Sequence, residues 1–227
     1  METVERIVSI FRKHYRIVEF VVPNYAYSAG TILVMSGDEI HMDYYSVLGP
    51  IDPQYEFQGE YVPGLGYLAK YEELTAEINN CDPTQLNEVQ AQLSFLVNKF
   101  DPAKLFHIEQ SIEHAKSLLK EWLPKYKFKD WKKTGTNGTK VTKSMKDKRA
   151  NEIAEVLGNA KRWHSHGRGI SIRELGSEEI KLKINNFGDD TETNGLIRAY
   201  YGLFVDYIQK IGMDSAIHSN RGLKRAA

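Results

Sequence analysis

The chain has 227 residues with 30 basic and 30 acidic side chains, so its formal net charge is zero. The net charge of the whole molecule therefore favours neither nucleic acid nor anionic membranes as a partner. Its single cysteine, Cys81, excludes an intramolecular disulfide and a cysteine metal cage, and no apolar run approaches the roughly 20 residues of a membrane span. A chain of this length can bury a full hydrophobic core. Because one cysteine fits a reducing compartment and the first residues do not resemble a signal peptide, we expect a cytoplasmic protein.

The first two elements are predicted to be a helix and a strand. Apolar side chains recur at helical spacing between residues 3 and 14, from Val4 to Phe11, and basic side chains fall elsewhere on the helix. The apolar run Ile17–Val22 follows directly and predicts a strand. A helix followed by a strand is the middle of a repeating β-α unit.

A sharp bend comes after this strand. Pro23 and Asn24 break the apolar run, small residues follow, and the segment from Thr31 to Ser36 predicts a short helix. Ser28 lies at the bend of this strand–turn–helix pattern. Its hydroxyl either caps the helix or is presented as a nucleophile, with backbone amides free to face a developing anion. The local pattern does not decide between the two roles.

Two further segments give the bend a context. Residues 38–42 have the sequence Asp-Glu-Ile-His-Met and predict a short strand, and residues 48–54 have the sequence Leu-Gly-Pro-Ile-Asp-Pro-Gln. Together with Ser-Ala-Gly-Thr at residues 28–31, they resemble the serine dehydrogenase proteinase family, which belongs with signal peptide peptidase A and the Clp proteases in the Clp/crotonase superfamily. The resemblance covers Pro23 to Gln54, and a weaker one lies at His164 to Ile184.

This resemblance implies an α/β, Clp/crotonase-like fold of β-α units with a helical hairpin insertion. It also implies a serine peptidase that hydrolyses peptide bonds in a peptide or protein substrate, needs no cofactor or metal, and forms homo-oligomers. Ser28 attacks the peptide carbonyl in this scheme, and the Ala29 amide forms half of the oxyanion hole.

The start of the chain departs from the family pattern. In the family, a strand and a glycine-rich turn precede the first helix, and that turn supplies the other amide of the oxyanion hole. This sequence begins after that turn. We therefore expect that the N-terminal part of the fold is missing, that the start is misassigned, or that the hole is built differently.

A serine hydroxyl needs a proton acceptor within hydrogen-bond reach. In the signal peptide peptidase branch this acceptor is a lysine on a helix downstream of the serine. Lys70, which lies 42 residues after Ser28 on a helix predicted from Tyr67 to Ile78, is our candidate. To accept a proton it must be neutral, which requires burial or a nearby cation.

Histidine bases are the alternatives to Lys70. The Clp branch uses a histidine and an aspartate, for which His41 on the following strand and Asp52 in the loop at 48–54 are available. That loop is where the Clp branch carries its histidine. A third possibility is His164 or His166, from the late turn that carries the weaker resemblance.

The second half of the chain is predicted to be largely helical. Asp82 and Asp101 each precede a proline and open a helix, so a helical hairpin is expected. We divide the chain into a core α/β part (1–80), the helical hairpin (81–123), a basic mobile loop (124–149), a C-terminal α/β part (150–213) and a tail (214–227).

Two other functions remain open from the sequence. Residues 124–149 contain ten Lys or Arg and only two Asp, with aromatic residues between lysines, which allows nucleic-acid binding. A catalytically impaired interaction or scaffold protein of the same fold is the other alternative.

His107 and His114 share a helical face, but they predict no metal site because no second carboxylate-rich helix accompanies them.

Overall fold

The computed structural model describes residues 1–57, 59–80, 82, 86–99, 101–163 and 165–225. Helices and short strands alternate along these ranges, which confirms the α/β class. The helices are α1 (Glu2–His14), α2 (Ala29–Met35), α3 (Gly64–Asn79), α4 (Leu86–Lys99), α5 (Pro102–Lys125), α6 (Lys143–Leu157), α7 (Ala160–Trp163), α8 (Ile172–Leu175) and α9 (Thr191–Lys210). The strands are β1 (Glu19–Val21), β2 (Tyr25–Ala26), β3 (Glu39–Met42), β4 (Val47–Leu48), β5 (Gln54–Phe57), β6 (Glu60–Pro63), β7 (Ile170–Ser171), β8 (Asn185–Asn186), β9 (Ala216–Ser219) and β10 (Gly222–Arg225).

Two small three-stranded sheets form the centre of the fold. In the first sheet β3 lies between β1 and β8, and all three strands are parallel. In the second sheet β4 lies between β2, to which it is parallel, and β7, to which it is antiparallel. The strand predicted at 17–22 is shorter in the structure, where β1 covers Glu19–Val21. The strand predicted at 38–42 corresponds to β3.

The hydrophobic core lies between these sheets and the long helices α5 and α6, which pack against each other. As predicted, α5 begins at Asp101-Pro102: the Asp101 carboxylate accepts a hydrogen bond from the Ala103 amide at 2.9 Å. Fully buried side chains from α2, both sheets, α5 and α6 meet in this core, among them Ile32, Met35, Ile40, Leu48, Leu119, Leu123, Ile153 and Leu157.

Three segments differ from the sequence-based expectation. The segment after Gln54, whose glycines and prolines predict a loop, contains the antiparallel hairpin of β5 and β6, which turns through Gly59 at φ 86°. Residues 180–184, whose sequence predicts a strand, do not form one, because Lys181 adopts φ 52° and pairing begins only at β8. Helix α4, predicted to pair with α5, packs against α3.

Part of the interval predicted as a mobile basic loop is packed. Phe128 is buried in the core, and the ammonium groups of Lys127 and Lys129 pair with Glu39 and Asp38 beside the first sheet. How the chain divides into domains stays a prediction. None of the helices in the described ranges has the length and apolar character that crossing a membrane requires.

Candidate active site

The bend that carries Ser28 is strained. Ser28 has φ 51° and ψ −114°, a backbone conformation that residues other than glycine rarely adopt. It stands immediately before α2, yet its hydroxyl makes no capping hydrogen bond to the helix. This geometry favours the nucleophile hypothesis over the capping hypothesis, since a serine held in a strained strand-to-helix turn is the arrangement of a nucleophile elbow.

Small residues and hydrogen bonds hold this turn closed. The Gly30 amide donates to the Tyr27 carbonyl oxygen at 2.8 Å, and a Cβ on Gly30 would lie only 3.3 Å from the Ala26 side chain. Among the described residues, none accepts a hydrogen bond from the Ala29 amide. Ala29 is exposed at the first position of α2, so its amide is available next to Ser28, as the oxyanion-hole hypothesis requires.

Buried Thr31 ties the turn to the loop after β4. Its hydroxyl oxygen lies 2.7 Å from the Ala26 carbonyl oxygen and 2.9 Å from the Gly49 carbonyl oxygen, and it accepts a hydrogen bond from the Gly49 amide at 3.0 Å. The loop at 48–54 is thereby fixed against the segment that presents Ser28.

The second sheet brings three separated parts of the chain to one edge. Ala26, Leu48 and Ile170 form one row across β2, β4 and β7. Ser28 follows β2 and Asp52 follows β4, and these strands are parallel. Because β7 is antiparallel to β2 and β4, the residues that precede β7, including His166, lie at the edge where β2 and β4 end. The carboxyl edge of parallel strands is where α/β proteins place their ligand and active sites.

Asp52 and His166 form a direct pair at this edge. The Asp52 Oδ1 and His166 Nδ1 atoms are 2.8 Å apart, although the residues are 114 positions apart in sequence. Asp52 is 2% exposed and the His166 side chain is 14% exposed. Because a carboxylate can only accept hydrogen bonds, His166 Nδ1 is the donor of this pair, and the tautomer with its proton on Nδ1 has a lone pair on Nε2.

Lys70, the predicted base, lies elsewhere in a different environment. It is on α3, its side chain is 56% exposed, and its ammonium nitrogen is 3.1 Å from a Glu73 carboxylate oxygen. A lysine needs burial or a neighbouring cation to be neutral, and the described contacts of Lys70 provide neither. The charged neighbour of Lys70 is an acidic side chain and not a cation, so the geometry gives Lys70 no support as a base.

The other histidines considered have different positions. His41 lies on β3 in the first sheet, and its Nε2 is 2.9 Å from a Glu19 carboxylate oxygen. His164 lies outside the described residues. No group of three or more His, Cys, Asp or Glu side chains that could bind a metal occurs within the described ranges.

We predict that Gly49→Ala disturbs the candidate site. A Cβ at this position would lie 2.3 Å from Tyr27 Cδ1 and 3.1 Å from Tyr27 Cα, so the residue preceding Ser28 must shift. We expect a stability loss of about 1–3 kcal/mol and, since misplacement by about 1 Å can cost roughly 10²-fold in rate, a similar loss of Ser28 reactivity. Urea unfolding and labelling by a serine-reactive probe measure the two effects. Gly66→Ala is the control, because a Cβ there meets open space, and unchanged labelling in both variants would contradict the prediction.

Ser28, at its strained turn, and the partly buried Asp52–His166 pair therefore lie at the same edge of the second sheet. Residues 2–77, about one third of the chain, match the family model described as ClpP-like SDH-type serine proteinase. This match confirms the resemblance found in the sequence and supports a Clp-like fold for that part of the chain.

Two curated relatives match shorter segments. The chain is 36% identical over 67 residues to the uncharacterised protein MJ1495 of Methanocaldococcus jannaschii, covering 30% of this chain and 22% of that protein. It is 41% identical over 49 residues to the uncharacterised protein MJ0137 of the same organism, covering 22% of this chain and 17% of that protein. The chain thus spans about a fifth of the length of these relatives. No solved structure matches the chain.

Proposed function

We propose that this protein is a serine peptidase in which Ser28 is the nucleophile, His166 the general base and Asp52 the residue that orients His166. The observation that carries the proposal is the hydrogen bond between buried Asp52 and partly buried His166, located at the sheet edge where the strained Ser28 turn also lies. The family match over residues 2–77 supports hydrolysis of peptide bonds in particular.

The proposed reaction proceeds by acyl transfer. His166 Nε2 accepts the Ser28 hydroxyl proton as Oγ bonds to the substrate carbonyl carbon, and the Ala29 amide donates to the oxyanion that forms. When the tetrahedral intermediate collapses, the C–N bond breaks and the imidazolium gives its proton to the leaving amine. A water molecule, deprotonated by the same Nε2, then hydrolyses the acyl-enzyme and restores Ser28.

Asp52 has an indirect role in this scheme. Its carboxylate accepts from Nδ1, which fixes the ring orientation and tautomer and stabilises the imidazolium that forms during each proton transfer. Since Asp52 is buried and bonds to His166, while Lys70 is exposed and pairs with Glu73, the geometry favours the histidine base over the lysine base.

Labelling with a fluorophosphonate probe tests the proposal. The native chain is expected to be labelled, and Ser28→Ala is expected to abolish the labelling. Ser111→Ala is the matched control, because half-buried Ser111 lies on α5 and, within the described ranges, its hydroxyl donates to the His107 carbonyl of its own helix. Labelling that persists in Ser28→Ala would remove Ser28 from the mechanism.

A fluorogenic peptide library identifies the bond that is cleaved. Cleavage by the native chain and loss of cleavage in Ser28→Ala are expected. A native chain that is folded yet neither labelled nor active on peptides would overturn the proposal in favour of the impaired scaffold protein. Nucleic-acid binding gains no support, since Lys127 and Lys129 in the basic interval already pair with Glu39 and Asp38.

A further inference from the structure

Helix α9 is attached to the chain that leads to Ser28 through Arg198. One nitrogen of the Arg198 guanidinium donates to the Pro23 carbonyl oxygen, and the other donates to the Asp43 carboxylate. Pro23 lies five residues before Ser28, and Asp43 directly follows β3. Because a planar guanidinium holds its donors in a fixed geometry, Arg198 joins the chain after β1 and the chain after β3 to the same helix. We call these two contacts the α9 tether.

Asp43 requires the cation of this tether because its carboxylate is buried. Its Oδ1 accepts from the Tyr45 amide at 2.9 Å and from the Ser46 amide at 3.1 Å, whereas its Oδ2 accepts from Arg198. Burial raises the pKa of this carboxyl, but hydrogen bonds from Arg198, Ser46 and the Tyr45 amide outweigh burial and hold its pKa below the ordinary value of 3.8. Since a buried carboxylate without its counter-charge is costly, Asp43 holds Arg198, and with it α9, in place.

A second contact from α9 acts on the next residue of the same segment. The Tyr201 hydroxyl accepts a hydrogen bond from the Asn24 side chain at 3.0 Å. The Asn24 carbonyl oxygen accepts from the Val47 amide at 2.9 Å, at the start of the pairing between β2 and β4. The contacts of α9 therefore fix the residues through which the chain enters β2.

The position of β2 depends on anchors at its two ends. This strand has two residues and lies at the edge of the second sheet, next to β4. Its far end is held by Thr31, whose hydroxyl oxygen lies 2.7 Å from the Ala26 carbonyl oxygen, and its near end is held by Arg198 and Tyr201. Because so short a strand makes few hydrogen bonds of its own, a shift of its near end also moves Ser28.

Helix α9 is separate in sequence from the part of the chain that carries the family resemblance. It comprises Thr191–Lys210, whereas the family model matches residues 2–77. None of its 20 residues is buried, so its attachment depends on contacts such as the ion pair with Asp43.

We propose that Arg198 is a positioning residue for Ser28. By tying Pro23 to Asp43 it sets where β2 presents the nucleophile, so α9 belongs to the working unit of the proposed peptidase. Arg198 touches neither the substrate nor the reacting atoms, and it therefore acts on the rate of acylation and not on binding. The effect on catalysis rests on the proposed function, whereas the tether itself belongs to the fold.

Labelling at several concentrations of a fluorophosphonate probe separates rate from binding. Arg198→Met keeps an unbranched side chain but removes its charge and donors. We expect the maximal labelling rate of Ser28 to fall about 10- to 100-fold, since misplacement by about 1 Å can cost roughly 10²-fold. The probe concentration at half-maximal rate should change less than about twofold. Arg198→Lys should recover part of the rate, because an ammonium can still pair with Asp43.

Arg149→Met is the matched control. The Arg149 side chain is 23% exposed, close to the 29% of Arg198, and it pairs with Glu152 at 3.0 Å within its own helix, α6. Arg149→Met should be labelled at the native rate. Urea unfolding verifies that each variant is folded under the labelling conditions.

The double variant Asp43→Asn/Arg198→Met separates positioning from stability. Removing both charges leaves no unpaired buried carboxylate, so the double variant should be more stable to urea than Arg198→Met alone. Its labelling rate should nevertheless stay low, because nothing from α9 then holds the Pro23 carbonyl. A labelling rate that recovers together with stability would overturn the proposal and leave Arg198 a purely structural residue.

Hydrogen exchange gives a readout that does not require hydrolysis. The Gly30 and Gly49 amides donate to the Tyr27 and Ala26 carbonyl oxygens around the Ser28 turn. In Arg198→Met they should exchange at least about tenfold faster than in the native chain, and by a larger factor than the amides of α5, which report global unfolding. Arg149→Met should leave these rates unchanged.

The two readouts distinguish failure of the tether from failure of the proposed function. Native rates of exchange and labelling in Arg198→Met would refute the positioning role while leaving Ser28 as a nucleophile. Faster exchange in Arg198→Met, with no labelling of the native chain, would support the tether and refute the hydrolysis.

Discussion

Replacing His166 with alanine should lower the rate of Ser28 acylation about 10³- to 10⁴-fold, because the hydroxyl then loses its proton acceptor. Asp52→Asn should cause a loss of similar order, since an asparagine amide can donate to Nδ1 and stabilise the wrong tautomer of the ring. Stopped-flow kinetics with an activated ester, at a fixed pH, measure the acylation rate directly.

Lys70→Ala is the discriminating control for this prediction. Its exposed ammonium pairs only with nearby Glu73 in the contacts described, so we expect the acylation rate to change less than about twofold. A large loss in Lys70→Ala, together with a small loss in His166→Ala, would return the base assignment to the lysine. Equal small losses in both would leave neither residue as the base.

The bend at Ser28 could be predicted from sequence because its determinants are local. An apolar strand, Pro23 and Asn24, and the small residues that follow specify a strand–turn–helix, and the structure has this turn at the expected residue. The cap of α8 was equally local: Ser171 and Glu174 satisfy each other's backbone amides in the capping box that the spacing predicts. Both features depend on contacts within a few residues.

The Asp52–His166 pair, on which the proposed histidine base rests, could not be predicted in the same way. Lys70 was favoured because its helix follows Ser28 by a family-like distance, whereas His166 meets Asp52 only through the pairing of β2, β4 and β7. Those strands have two residues each, too short for an alternating apolar pattern to be recognised. The late turn is one of the alternatives that the sequence offers, but no local pattern gives it priority over the lysine.

The β5–β6 hairpin shows the same limit. Glycines, prolines and aromatic residues between Gln54 and Gly66 predicted a loop, yet strand pairing overrides the turn-like composition. The basic interval was also misjudged from composition, because Lys127 and Lys129 are balanced by acidic residues some 90 positions away. Net charge along the sequence does not reveal such long-range pairs.

Asp38 is a buried charged group that several parts of the chain contact beside the first sheet. It is buried next to β3, where Arg12 of α1 donates at 2.6 Å, the Val18 amide donates at 2.8 Å, and Lys129 also pairs with it. Burial alone would raise the pKa of this carboxyl, but the hydrogen bonds from Lys129, Val18 and Arg12 outweigh burial and hold its pKa below the ordinary value of 3.8. One carboxylate thus joins α1, β1 and the segment after α5.

Asp38→Asn should therefore lower the free energy of unfolding by about 3–5 kcal/mol at pH 7, because two cations lose their buried counter-charge. Since the pKa of Asp38 is lower in the folded than in the unfolded chain, its contribution is complete above 3.8 and is lost as the pH falls through the folded value. The difference in unfolding free energy between the native chain and the variant should stay constant between about pH 7 and 5 and shrink below about pH 4.

Urea unfolding at several pH values measures this difference. As a control, Asp206→Asn, which removes an exposed pair with Lys210, should cost less than about 0.5 kcal/mol. A loss from Asp38→Asn no larger than this control would mean that the charge cluster is dispensable and that apolar burial alone holds α1 and the segment after α5 against the sheet.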